Sequence, residues 1–364
     1  MKISLAFKLR QLPLSALRFA HPPATPPDTR LRQWALASNS TDLFVTALGQ
    51  SVAAYLPTCF LEGYERNVGI AQRFGFSLQP EVIMTANSFS SDDLWKLWAG
   101  NQVEQGARLV VSQHGGHYGI GAWSSSLKHE VAISDRYLSW GWSDSRELKI
   151  YPAPATKLIG LRRGRSSADG RCLQVLNSIP RQSSHLITGP VGPQFADYLA
   201  DQQRFVSALS AEVRESLTIR LSPYDYGWDV SERWSSTHPE ITVEPGRQAM
   251  SGLLKDVRLF VGTYNATSFL ESISLGIPTV TFWDPEFWEV SDDARPFLLR
   301  LRQAKVLFED PRACAEHVNE IWGNVPKWWG SKNVQAAVST FSHRYAYVGS
   351  EPIAELAEAL KFRP

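Results

Sequence analysis

The chain has 364 residues, 43% hydrophobic and 20% charged, with a net charge of +1. That length suits two domains, and that composition belongs to globular enzymes rather than to disordered or fibrous chains. A charge balance so near zero excludes the field of a nucleic-acid binder, and no apolar run approaches the roughly 20 residues that span a bilayer.

Lys2, Lys8, Arg10 and Arg18 alternate with Leu and Phe through Met1 to Phe19. The stretch lacks the unbroken apolar core of a signal peptide. It reads as a first helix ending at the Pro-rich segment His21 to Pro27, or else as a helix lying on an anionic membrane surface. Leu31 to Ala37, Thr41 to Ala54 and a segment ending near Phe74 read as helices. Glu81 to Ala86 is a buried strand, followed by Asn87 and Ser88, and the Ser91-Asp-Asp-Leu run caps a helix reaching Gln105. Cys59, Cys172 and Cys314 are far apart and lack metal-ligand spacing, which points to buried thiols in a reducing, cytoplasmic setting.

Leu109 to Ser112 is the next strand, and it delivers Gln113-His-Gly-Gly-His-Tyr-Gly119. This is the βαβ rhythm of a parallel sheet, in which ligands bind beyond the carboxyl ends of the strands. Asn87, Ser88, Gln113 and His114 follow strand ends, so they are expected to line one cleft. His114 is the first candidate for chemistry, as a general base or a phosphate ligand. Gly115 and Gly116 beside it let a substrate approach the backbone. The bland alternative is a histidine that holds its own turn. Leu127 to Val131 reads as a short helix, Ala132 to Asp135 as a strand end and Arg136 to Trp142 as extended. Glu130 and Asp135 are two carboxylates near the same cleft, fit to divide acid, base or nucleophile roles. Equally, they pair locally with Lys128 and Arg136.

A boundary is expected in Ser143 to Pro154, dividing an N-terminal domain (1–150) from a C-terminal one (151–330) with a helical tail (331–364). Leu158 to Gly160 is read as the strand that opens the second domain, and Leu161 to Arg171 as a basic loop. Leu173 to Arg181 is a strand and loop, Asp197 to Ser210 a helix. Leu217 to Trp228 is a strand whose end carries Arg220, Tyr224 and Trp228. Arg220 suits a phosphate or carboxylate, or pairs with Asp225 or Asp229. Ile241 to Val243 is a short strand and Gly246 to Lys255 a helix. Then Leu259 to Val261 reads as a strand, Gly262 to Thr267 as a small polar turn, and Ser268 as the start of a helix ended by Gly276 and Pro278. Such a helix N-terminus is an anion site. Thr263, Asn265, Thr267 and Ser268 are the expected phosphate ligands, and Glu271 is placed to accept hydrogen bonds from a ribose. No Asp-x-Asp pair sits at a strand end, so the helix dipole and Arg are expected to take a metal's part; no metal ligand or cofactor is assigned.

The stretch from Leu259 to Val280 resembles the nucleotide-binding half of GT-B glycosyltransferases, a fold of two Rossmann-like α/β domains facing a central cleft. The resemblance implies donor phosphates at the Thr267/Ser268 turn and a ribose at Glu271. A closer resemblance is to a family of transferases from bacterial surface-polysaccharide and O-antigen loci. It is carried by Gln113 to Gly119, His129-Glu130, Asp135 to Trp142, Leu176 to Arg181 and Arg220 to Trp228. Family members are longer at the N-terminus, which implies a shortened first domain here. A looser resemblance to retaining transferases that use CMP-activated Kdo suggests a 2-keto sugar acid donor, with Arg220 at its carboxylate and Glu130 or Asp135 as nucleophile. The expected partners are thus a nucleotide-sugar donor and a glycan or lipid-linked acceptor. Two alternatives stay open: a sugar-nucleotide epimerase or glycerophosphate transferase on the same fold, and a non-catalytic paralogue that binds a nucleotide or a partner.

Overall fold

The structure is a computed structural model that describes residues 23–33, 41–73, 79–161, 169–183 and 188–362. The N-terminal basic stretch through Phe19, residues 34–37 and most of the basic loop (162–168) lie outside the described residues. The chain divides into two compact units at the Ser112–Gln113 junction.

In the smaller unit the helices Leu43–Tyr55 (α1) and Tyr64–Gln72 (α2) precede the strand Val82–Thr85 (β1). The buried Arg32 guanidinium donates to the carbonyls of Ala53 and Leu56 and pairs with Glu62. That pairing holds the Glu62 carboxyl down at about 2. The helix Asp93–Glu104 (α3) leads to the strand Arg108–Ser112 (β2), which pairs parallel with β1 from Val82/Arg108 to Thr85/Val111. The cap of α3 is Asp92, whose carboxylate accepts from Trp95 N at 2.9 Å, one residue past the expected Ser91.

The larger unit opens with the helix Ser125–Ile133 (α4) and the parallel strands Arg136–Ser139 (β3) and Ile150–Pro152 (β4). So β4 lies inside the stretch read as a boundary. The reading of Ala132 to Asp135 as a strand end is overturned, because α4 runs on through Ile133. Leu158 to Gly160 is a turn rather than a strand. Leu158 N and Leu161 N close onto the carbonyls of Ala155 and Leu158, and Gly160 takes φ +81°.

The first strand of the main sheet is Arg171–Val175 (β5). It is joined by Leu217–Arg220 (β6), Thr242–Glu244 (β7), Val257–Gly262 (β8), Thr279–Phe282 (β9) and Leu307–Phe308 (β10). All neighbours are parallel, in the order β7-β6-β5-β8-β9-β10. This is the doubly wound Rossmann order, which reverses direction between β5 and β8, and ligands bind at that reversal. The helices Gln194–Ala208 (α5), Val230–Thr237 (α6), Thr267–Ser274 (α7), Arg295–Gln303 (α8) and Pro311–Ile321 (α9) follow β5, β6, β8, β9 and β10. Covered strands bury both faces, and every residue of β9 and all of β8 but Arg258 are buried. One core joins Cys172, Ile219, Val261 and Phe282 of the sheet to Phe205 of α5 and Val318 of α9. The helix expected from Gly246 shrinks to Met250–Leu253. The Glu244 carboxylate holds the N–H groups of Gly246, Arg247 and Gln248 in a loop instead.

The last helices, Lys332–Tyr345 (α10) and Pro352–Ala359 (α11), pack back on this unit. Phe341 of α10 meets Phe269 of α7 with ring centroids 5.8 Å apart. Tyr347 N donates to Trp140 O at 3.1 Å, and Arg136 grips the carbonyls of Ala359 and Lys361. Among the described residues no helix is long and apolar enough to cross a membrane.

Candidate active site

Gln113 is fully buried, and its side chain is the hub of the loop that follows it. Its Oε1 accepts from Trp140 N (3.0 Å) and Trp142 Nε1 (2.8 Å), while its Nε2 donates to Gly115 O (2.7 Å). The Gln113 carbonyl accepts from Trp140 Nε1 at 3.0 Å. The amide therefore holds the loop against the Trp140-Gly-Trp142 turn and presents nothing to a substrate, which corrects the expectation of a cleft-facing Gln113. The turn needs its own glycine: Gly141 has φ +105°, and a Cβ there would lie 2.7 Å from Tyr347.

With the loop fixed, His114 points outward. Its side chain is 40% exposed, while that of Glu130 behind it is 1% exposed. His114 Nδ1 lies 3.7 Å from Glu130 Oε1, and the Tyr118 hydroxyl stands beside the pair. The Tyr118 hydroxyl donates to Glu130 Oε1 at 2.8 Å and sits 3.4 Å from His114 Nε2. Burial pushes the Glu130 carboxyl up to about 7, against the opposing pull of Tyr118 and of the Tyr137 hydroxyl that also faces it. Burial, with the neighbouring His114, lowers His117 to about 4, so its ring is neutral. An exposed imidazole backed by a buried carboxyl is the arrangement of a proton acceptor held in register. Asp135 precedes β3, whereas the loop docks at that strand's far end through the Gln113–Leu138 and Gln113–Trp140 bonds. Four residues of strand are about 13 Å.

The same loop lies on the start of α7. Gly116 N donates to Thr267 Oγ1 at 3.0 Å, and no side chain caps the helix at Ala266. A Cβ on Gly116 would come 2.6–2.7 Å from Ala266 C and O and Thr267 N. The glycine is thus required by the chain's own backbone, not by a substrate as expected. Gly115 is less confined: its Cβ would meet Tyr118 at 3.5 Å. Gly116→Ala forces backbone apart from backbone and should cost about 1–3 kcal/mol, the usual range for overpacking. The check is a lowered Tm in Gly116→Ala beside a near-unchanged Tm in Gly115→Ala.

The residues expected at the phosphate divide into two groups. Thr263 is spent on structure: its hydroxyl donates to Val175 O at 2.7 Å and meets Tyr198 Oη at 2.6 Å, tying β8 to β5. Thr267 is the first helical residue, one before the expected start, and its hydroxyl holds Gly116. Asn265 is buried, and no donor among the described residues reaches its Oδ1. Tyr264 stands next to it, its phenol raised by burial, with Ser268, Arg220 and Glu271 around it. Arg220 follows neither expected pairing. Its Nη1 donates to Leu221 O at 3.0 Å, and its Nε lies 3.8 Å from Glu244 rather than against Asp225 or Asp229. Glu271 is paired at 3.1 Å with Lys157, a half-exposed cation that sequence reasoning missed.

Tyr224 is 65% exposed and stacks on Tyr226 with ring centroids 5.9 Å apart. It borders a cavity of about 360 Å³ with Asn177, Ser178, Ser222, Asp229 and Pro245, all beyond the carboxyl ends of β5, β6 and β7. Trp228 lines no substrate face. It is buried, donates to Ile179 O at 2.8 Å and carries the Arg181 guanidinium over its ring. A second cavity, of about 790 Å³, lies beyond β9 and β10 between Trp288 and α8. Asn87 and Ser88 belong to the smaller unit, where Ser88 N donates to Thr85 Oγ1. Among the described residues no group of three or more His, Cys, Asp or Glu is placed to hold a metal ion.

The parallel sheets, the Rossmann strand order and the His114–Glu130 pair beside a helix N-terminus define an α/β enzyme. The chain belongs to the LIC12162 family of transferases, whose profile matches residues 1–360. No curated protein sequence matches it. Among solved structures it is similar to TarM, at 12% identity and a TM-score of 0.46, covering 81% of this chain and 57% of that one. It is also similar to WaaG, a glycosyltransferase involved in lipopolysaccharide biosynthesis, at 11% identity, a TM-score of 0.41 and coverage of 83% and 96%. MurG of Acinetobacter baumannii matches at 12% identity and a TM-score of 0.41, covering 80% and 76%. The chain thus spans little more than half the length of TarM.

Proposed function

We propose that the chain is a GT-B-type glycosyltransferase that moves a sugar from a nucleotide-activated donor to a glycan or lipid-linked acceptor of a bacterial surface polysaccharide. The observation that carries this reading is the seating of the His114 loop on the start of α7, beside the reversal point of the sheet. A proton acceptor and an anion-attracting helix end then face one reacting centre. His114 takes the proton of the acceptor hydroxyl. The departing nucleotide phosphate is met by the first-turn amides of α7 and by Arg220, a preorganised set that needs no reorientation. The nucleoside is assigned to the cavity bordered by Asn177, Ser222 and Tyr224. Its volume lies within the range of small-molecule sites. Ribose hydroxyls would share Glu271 with Lys157, and the unsatisfied Asn265 Oδ1 offers an acceptor whose pairing would be favourable. The three free cysteines fit a cytoplasmic enzyme.

Incubation with CMP-, UDP- and GDP-sugars, each with and without a glycan acceptor, tests the reading. CMP-linked 2-keto sugar acids are the first donors to try. Nucleotide release that depends on acceptor is the expected result. Conversion of a donor without any acceptor would make the protein an epimerase. No conversion and no nucleotide binding would make it a non-catalytic paralogue.

A further inference from the structure

We propose that the cavity beyond β9 and β10 seats the apolar chain of a lipid-linked acceptor. The proposal rests on the glycosyltransferase reading and names the class of its second substrate. The cavity holds about 790 Å³, more than twice the 360 Å³ assigned to the nucleoside. Its walls include Trp283, Pro285, Trp288, Pro296, Leu298 and Leu299. Leu299 is 52% exposed, an aliphatic side chain left in water at the edge of an apolar cavity. The arginines of the lining are already committed to carboxylates. Arg302 pairs with Glu309, which also lines the cavity, and Arg295 pairs with Asp292. With Glu289 the lining carries two cations and two anions, so it has no net charge to draw a phosphate. A bare sugar fits no better, because its hydroxyls need partners that Trp, Pro and Leu walls do not supply. An uncharged apolar chain meets both conditions.

The place of the cavity in the sheet assigns the chain its part in the reaction. The nucleoside cavity lies beyond β5, β6 and β7, and this one beyond β9 and β10, with α7 rising from β8 between them. The wall segment from Trp288 to Val290 is tied to both parts of the proposed reacting centre. Ala122 N donates to Glu289 O at 3.0 Å, Ser291 N to Ile120 O at 2.8 Å and Ser291 Oγ to Gly119 O at 3.0 Å. Val290 also bridges Gly121, so the wall runs antiparallel to the end of the His114 loop. On its other side the Trp288 ring meets Tyr264, two residues before the cap of α7, with centroids 6.2 Å apart. Gly189 lies against the same indole, where a Cβ would come within 3.3 Å. A chain seated here holds its sugar end towards His114 and the start of α7, while the nucleoside reaches the same point from the opposite side.

The test is calorimetric titration of the full chain with methyl, hexyl and octyl β-glucosides below their micelle concentrations. Affinity should rise by up to about fourfold for each added methylene, the gain from burying one CH₂. Leu299→Asp, at an exposed position, should keep the melting curve and lose the dependence on chain length. Should Leu299→Asp not fold, an octyl glucoside carrying a photoreactive group in its chain must label the Pro296–Leu299 segment of the wild type. Methyl and octyl glucosides bound alike, a chain-length dependence kept in Leu299→Asp, or a label landing elsewhere overturns the proposal. So does a dimer in sedimentation that Leu299→Asp dissolves, which would assign the cavity to a second copy of the chain. A protein that shows the chain-length dependence yet binds no sugar nucleotide would refute the glycosyltransferase reading and leave only an apolar-chain site.

Discussion

His114→Ala is expected to lower kcat by about 10²–10⁴-fold, the usual span for loss of a general base. The effect should fall on turnover alone. The imidazole is 40% exposed, and the loop that carries it is held by Gln113, Trp140 and Trp142. Removing it leaves the loop seated on α7 and the nucleoside cavity untouched, so the KM for the donor should change little. A fall in kcat with an unchanged donor KM marks a group that acts on the reacting atoms rather than on binding. Equal turnover by His114→Ala and wild type, with donor binding intact, would remove His114 from the chemistry.

Glu130→Gln should act in opposite directions on activity and stability. The amide keeps the shape and still accepts from Tyr118, yet it takes up no proton, so turnover falls. The sign of the stability effect follows from the direction of the shift. The Glu130 carboxyl is raised from 4.5 to about 7 by burial. Between those values the folded protein binds a proton that the unfolded chain has released. The stabilisation is complete below about pH 4.5 and is lost as pH rises through about 7. Above pH 7 the wild type carries a buried charge that the glutamine variant lacks. Glu130→Gln should therefore be the more stable protein at pH 8, by on the order of 3 kcal/mol, with the gap closing towards pH 5. Denaturant melts at the two pH values measure it. A gap that widens on acidification would contradict the buried carboxyl. A stabler but slower variant is what a functional site held at a cost to the fold predicts.

Much of the architecture was legible because its signals are local. The β8–α7–β9 unit announces itself through an apolar run, a small polar turn and Gly276 before Pro278, and it is found within a residue or two of its expected bounds. His114 and Glu130 were legible as candidates from residue type and position after strands. Their relation was not, because only the packing of α4 behind the loop brings Glu130 Oε1 to 3.7 Å from His114 Nδ1. The misassignments share one cause. A polar residue after a strand end either faces ligand or ties neighbouring strands, and only a partner far along the chain decides which. Thr263 finds Val175, Gln113 finds Trp140 and Trp142, and Trp228 finds Ile179. Gly116 is the same case for backbone: a glycine pair implies close approach, but what approaches is Ala266 of this chain. The helix before Asp135 is two residues longer than its pattern suggested.

The proposed transfer requires a nucleotide seated at the reversal point of the sheet, between Tyr224 and the start of α7. Calorimetric titration with CMP, CDP, UDP and GDP tests this directly. One base is predicted to bind, with affinity kept in His114→Ala and weakened at least tenfold in Arg220→Ala. Heats indistinguishable from buffer for all four nucleotides, or binding indifferent to Arg220, would contradict it.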